Sequence, residues 1–173
     1  MDVLERLSLM PALLAEVVAG VPESLVRVRS GPFALVEQVW HLADLEREGF
    51  GERIRRLIAE DDPFLPDFDG DRVAREREYL RLDPGEALAA FSPARAETIR
   101  LLRSVPDGSW SRSGQQEGVG RVALSDLPGR ILDHDRAHLA EIADLLADLV
   151  PAHLLIPRLR ALAAGGPRSS KAA

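Results

Sequence analysis

The chain has 173 residues, 46% hydrophobic and 29% charged, with a formal net charge of -6 and no cysteine. That length is enough for one domain with a core of its own. Lack of cysteine excludes disulfides, thiolate metal sites, iron–sulfur clusters and cysteine nucleophiles, so any metal must be held by nitrogen and oxygen ligands. The acidic balance and scattered basic residues exclude sequence-independent nucleic-acid binding, which needs a basic footprint. No apolar run approaches the roughly 20 residues of a membrane span. The first residues, MDVLERLSLM, carry acids where a signal peptide would be basic. A cytoplasmic protein with neither membrane nor nucleic-acid partners is expected.

In chain order, residues 2–20 repeat apolar positions at near-helical spacing and stop at Gly20 and Pro22, with Pro11 starting or bending the helix. A second start signal, Ser30-Gly31-Pro32, opens a long helix from about Phe33 to Glu60. Gly49 and Gly51 fall in its middle at a cost of about 1 kcal/mol each, so tertiary contacts must hold it. Residues 61–82 begin with a Pro- and Asp-rich loop pinned by Phe64, Leu65 and Phe68, and continue into a charged stretch with room for a short helix. Asp83-Pro84-Gly85-Glu86 is a capped start for a third helix reaching about Ser104, with Leu88, Phe91, Ile99 and Leu102 buried. The polar connection Val105 to Val122 is of a length that is usually functional or disordered, and Trp110 suggests that this one packs. A fourth helix spans Leu124 to Leu149, and a short one Pro151 to Ala164. Residues 1–164 read as one domain and 165–173 as a disordered tail. No strand of convincing alternation is visible, so the expected fold is all-α, an antiparallel four-helix bundle.

On the fourth helix, Leu124, Leu127, Ile131, His134, His138, Glu141 and Leu145 follow one another at alternating steps of three and four, the inward seam of a bundle helix. His134 and His138 therefore stand where the pattern asks for leucine, one turn apart on one face, spaced to chelate a single ion. Two imidazoles in a core seam are costly unless paired or ligated. His41, on the second helix, supplies a third. Glu37 and Asp44 share its face and are candidates to orient its other ring nitrogen. Three histidines leave coordination positions open, which suits a catalytic or ligand-binding ion better than a closed structural one. Histidines that bind nothing and only hydrogen-bond remain an alternative.

The order of motifs carries a resemblance. His41-Leu-Ala-Asp-x-Glu46 is followed by Arg53-Ile-Arg-Arg, a Pro/Asp-rich loop ending in Phe68-Asp, Phe91 with Arg95, a loop with Trp110 and Gly118, and His134-Asp-Arg-Ala-His138. Over about residues 8–149 this resembles the DinB/YfiT-like superfamily. The resemblance implies a four-helix bundle, a divalent-metal triad of His41, His134 and His138 (zinc, nickel, iron or manganese), and a homodimer. Many relatives carry a histidine where this chain has Gln115 or Gln116. Asp44 and Glu48 are candidates for a general base or for ligand support. Asp135 is expected as a solvated surface acid, Glu141 in an ion pair with Arg53 or Arg95, His153 at the surface, and Trp40 and Trp110 in core or pocket wall.

Two functions follow from different classes. One is a metal-dependent enzyme that activates a low-molecular-weight thiol, or water, for transfer or hydrolysis on a small molecule; the preference for thiol comes from the resemblance alone. The other is a non-catalytic metal- or small-ligand-binding homodimer, since no unmistakable base or nucleophile is visible.

Overall fold

The computed structural model describes residues 2–165. α1 (Val3–Gly20) starts at Asp2, whose carboxylate accepts the Glu5 amide while Glu5 returns a bond to the Asp2 amide. It continues through Pro11, which lacks the N–H that would bond the Leu7 carbonyl. That carbonyl accepts instead from the Arg95 guanidinium at 3.3 Å. The proline therefore neither starts nor ends the helix, because its orphaned acceptor has found a partner.

The second helix is continuous but not uniform. α2 (Leu35–Asp44) passes through a π-helical segment, Leu45–Phe50, into α3 (Gly51–Ala59). Both interior glycines lie in or directly after the wide turn. The Pro/Asp-rich stretch forms a two-residue strand β1 (Phe64–Leu65), then α4 (Gly70–Glu76) and a 3-10 turn, Tyr79–Arg81. Leu65 is buried and Phe68 partly so, whereas Phe64 is exposed and pins nothing. α5 (Pro84–Arg103) begins with Asp83 accepting the Glu86 amide and runs on through Pro93.

The connection before the last bundle helix is ordered, and it corrects the reading that the chain has no strands. β2 (Ser113–Gln116) pairs antiparallel with β3 (Gly120–Ala123) and parallel with β1. Strands of two to four residues are too short to show alternation. The hairpin turns at Gly118 and Gly120, whose φ of 71° and 98° few other residues adopt. α6 (Leu127–Leu149) follows a 3-10 turn, and α7 (Ile156–Ala164) packs along it. α7 starts later than expected because residues 150–155 turn first. Apart from Gly165, the tail expected to be disordered lies outside the described residues.

α1 packs on α5 and α6, and α2 packs on the same two helices. The bundle thus places α1 opposite α2 and α5 opposite α6, so each of these two pairs, successive in the chain, spans a diagonal and needs a long connection, whereas α2 and α5 are neighbours. One apolar cluster joins Leu14, Val17, Val39, Phe91, Ile142 and Leu146; another joins Leu7, Ile54, Leu65, Leu124, Leu127 and Ile131. Between them lies a buried ion network. Arg95 of α5 donates to both oxygens of Asp135 at 2.6 and 2.9 Å, and also reaches Glu46 at 3.0 Å. Asp135 is therefore not the surface acid expected from its place beside the seam; it is 3% exposed. Burial alone would lower the Arg95 pKa, but the two carboxylates carry it above its ordinary value. Burial likewise pushes Asp135 up, with Arg95 opposing and Glu46 adding to the rise. Arg95→Ala leaves two buried carboxylates unpaired and is expected to cost about 3–5 kcal/mol in denaturant unfolding.

Candidate metal centre

α2 and α6 cross so that His41 meets His134 and His138. Nε2 of His134 lies 3.3 Å from Nε2 of His41 and 3.1 Å from Nε2 of His138. One nitrogen from each of the three rings lies within 4.8 Å of the others. Two nitrogens bound tetrahedrally at about 2.0–2.1 Å from one ion stand roughly 3.3 Å apart, so the spacing fits a shared ligand. Protonation points the same way. Gln38, fully buried on α2, donates its amide nitrogen to Glu141 at 2.8 Å. Its amide oxygen therefore faces Nδ1 of His138, 2.5 Å away. An oxygen acceptor there requires the proton on Nδ1, so Nε2 of His138 turns a lone pair toward the other two rings. One proton cannot satisfy three converging nitrogens. The donor set suits a divalent ion.

His41 is held differently. Its Nδ1 is buried without a hydrogen-bond partner, and the two carboxylates expected to orient it are engaged elsewhere. Glu37 accepts the Ala34 amide at 2.8 Å and pairs with Arg29. Asp44 accepts from Tyr79 Oη at 2.6 Å and from Arg77. Burial, then Asp44, pushes the Tyr79 hydroxyl pKa up, so that pair holds one proton firmly. Packing places His41 instead: Phe33 and Phe68 flank it at 5.6 and 6.1 Å between ring centroids. Gly70 closes the third side. A Cβ there would collide with Cε1 of His41 and stand 2.6 Å from its Nδ1. Phe50, from the end of the π-helical segment, meets His134 at 5.8 Å.

The sequence from residue 6 to residue 142 matches the family model described as the DinB superfamily. The chain belongs to the DinB superfamily. Among solved structures, this DinB chain is similar to YfiT from Bacillus subtilis, described as a probable metal-dependent hydrolase with an unusual four-helix bundle topology. The two share 22% identity over 85% of each chain, with a TM-score of 0.78. Among curated proteins, none matches.

Within this DinB bundle the remaining candidates fall into place. Glu48 forms a two-point pair with Arg77, which lowers its pKa, and with Asp44 already engaged it buttresses the site instead of standing free as a base. Glu141 pairs with neither Arg53 nor Arg95; it holds Gln38 and lies 3.5 Å from His138 Nδ1. His153, expected at the surface, is half-buried. Its ring lies against the Gly20 backbone, with Nε2 buried and Nδ1 accepting the Leu155 amide. Trp40 stacks on Tyr79 and donates to the Asp83 carbonyl, while Trp110 packs on the second apolar cluster. Gln115 is exposed; Gln116 is buried and accepts from Arg130 at 3.4 Å. Gln38 went unnoticed in the sequence, although its place three residues before His41 is the signal that puts it on the ligand-bearing face.

Burial holds all three imidazoles neutral. It lowers His41 to a pKa of about 4, with His138 nearby adding to the effect. It lowers His134 to about 3, again with His138 and His41 adding, and His138 to about 4. In metal-free protein these groups bind fewer protons folded than unfolded between pH 6.5 and the folded values, so stability falls as pH drops through that window. The loss of urea midpoint between pH 7 and pH 5 should therefore be smaller for metal-free His134→Gln than for the metal-free wild type. Gly70→Ala must displace His41 or α4. About tenfold weaker zinc binding in a chelator competition is expected, with the bundle still folded by circular dichroism.

Proposed function

We propose that the protein is a metal-dependent enzyme in which His41, His134 and His138 hold one divalent ion, of zinc, nickel, iron or manganese, beside a small-molecule substrate. The convergence of three imidazole nitrogens in a core seam carries this reading. When bound, the ion supplies Lewis acidity that makes a thiol or a water acidic enough to attack an electrophile. Three neutral ligands suit that role because they leave the charge of the ion uncompensated. The work of the chain is placement. Gln38 and Glu141 fix the tautomer of His138, and Phe33, Phe50 and Phe68 keep bulk water from the ligands.

The family resemblance supports a low-molecular-weight thiol as the activated group. The likeness in fold to YfiT, a protein described as a probable metal-dependent hydrolase, supports water equally. The resemblance also brings a homodimer and a cytoplasmic setting into the proposal. Elemental analysis of protein purified without a histidine tag should find about one equivalent of divalent metal, lost in His134→Ala and in His138→Ala. No metal after reconstitution with zinc, nickel and manganese would sink the proposal.

One observation favours a second reading, a non-catalytic metal-binding protein. His41 and His138 are only 9% and 7% exposed, so the site opens chiefly at His134. A cobalt-substituted sample titrated with cysteine separates the two. A new thiolate-to-metal charge-transfer band supports an open, reactive site, whereas an unchanged spectrum favours the sealed one.

A further inference from the structure

Two guanidinium groups reach adjacent points of the small sheet beside the triad: Arg130 at Gln116, and Arg53 at Pro66, the residue after the Leu65 that pairs with Gln116. Neither has the close double-carboxylate pairing of Arg95, the other buried arginine. Arg53 of α3 is 7% exposed. Its guanidinium lies 5.9 Å from the centre of the Phe50 ring, the same ring that meets His134. Nη2 donates to the Pro66 carbonyl at 3.3 Å, and the nearest carboxylate oxygen, on the largely exposed Asp67, is 3.7 Å away. Nε is buried and has no partner. Arg130 stands one turn before His134 on α6, so it projects from the same face. It donates to the neutral amide of Gln116 at 3.4 Å, and no carboxylate among the described residues pairs with it. Burial, opposed by Asp67 and reinforced by Arg130, draws the Arg53 pKa below its ordinary value.

A structural role for Arg53, stapling α3 to the loop at Pro66 and Asp67, engages Nη2 and leaves the buried Nε without a partner. It does not account for a second cation brought alongside. Arg53, Arg130 and Asp67 together sum to one positive charge, the complement of a monoanion. The forked donors match a carboxylate, with the buried amide of Gln116 at its edge.

We propose that Arg53 and Arg130, with Gln116, bind a carboxylate of the substrate, which makes the substrate a small carboxylic acid with an apolar portion against Phe50. The orientation of its reacting end toward His134 rests on the metal-dependent reading above; carboxylate binding itself does not.

The test uses the full chain, zinc-loaded and chelator-stripped, titrated calorimetrically at low salt with 3-phenylpropionate, its neutral amide 3-phenylpropanamide, and phenyl phosphate. Both forms of the protein should bind the carboxylate and not the amide. Arg130→Gln, at a half-buried position that should tolerate the change, should weaken carboxylate binding about tenfold or more with zinc content unchanged. Arg53→Lys, which keeps the charge and loses the fork, should also weaken it. Equal binding of acid and amide would overturn the proposal, as would an Arg130→Gln variant of wild-type affinity. Binding that needs zinc and ignores Arg130→Gln would show the acid as a metal ligand and overturn the subsite while sparing the metal site. Tighter binding of phenyl phosphate would overturn the assignment to a monoanion. A chain that holds no zinc would defeat the enzyme proposal alone, because the stripped protein still reports on the two arginines.

Discussion

All four walls of the bundle are tied to one guanidinium. Arg95 of α5 holds Asp135 of α6, Glu46 in the π-helical turn after α2, and the Leu7 carbonyl of α1. Asp135 adjoins His134 in sequence, and Glu46 follows His41 by five residues, so the two helices that carry the imidazoles are clamped close to the imidazoles themselves. Such a network in a low-dielectric interior is weak evidence of net stability, since desolvating three charges is expensive. What it supplies is register. A hydrophobic seam tolerates a slide of one turn far better than a guanidinium fork tolerates the loss of either carboxylate, and the nitrogens of the triad must meet to within a fraction of an ångström.

A second network supports the loop side of the site. Asp44, buried below His41, gathers Tyr79 and Arg77, and Arg77 extends to Glu48. These contacts anchor the segment from α4 to the 3-10 turn against α2. They bring Gly70 and Phe68 against the ring of His41. Acids on the ligand-bearing face thus serve to shape the walls around the imidazoles, while the polar contact that governs a ligand's proton comes from an uncharged amide, Gln38. The amide oxygen accepts the Nδ1 proton directly, while the carboxylate of Glu141 holds the amide and lies 3.5 Å from the same nitrogen.

Much of this was legible from spacing. Alternating steps of three and four placed His134 and His138 in the seam of α6, and the capped start at Asp83 located α5 because each signal is local. Spacing misjudged Asp135. One step round from the seam is solvent on an ordinary helix, but here that step faces Arg95, and a long-range pair leaves no trace in the periodicity of either helix. It misjudged the partners of Glu37, Asp44 and Glu141 for the same reason: proximity along one helix face says which groups are near, not which of several donors captures them. The hairpin was invisible because its strands are shorter than one readable period. The Pro11 helix was ambiguous because the remedy for its missing hydrogen bond lies 84 residues away, in the side chain of Arg95.

The wide turn at Leu45–Phe50 has a consequence for how this helix can vary. A π-helical turn is an α-helix that has taken in one residue, and one residue is about 100° of rotation. Upstream of the insertion the helix presents His41; at its end and beyond it presents Phe50 and Arg53. The two halves can therefore be re-aimed against each other by a single-codon insertion or deletion that breaks no helix and leaves the imidazoles untouched. Relatives that lack the extra residue would keep the same ligands but turn a different set of side chains toward the space beside them, a change that substitution alone would need many steps to reproduce.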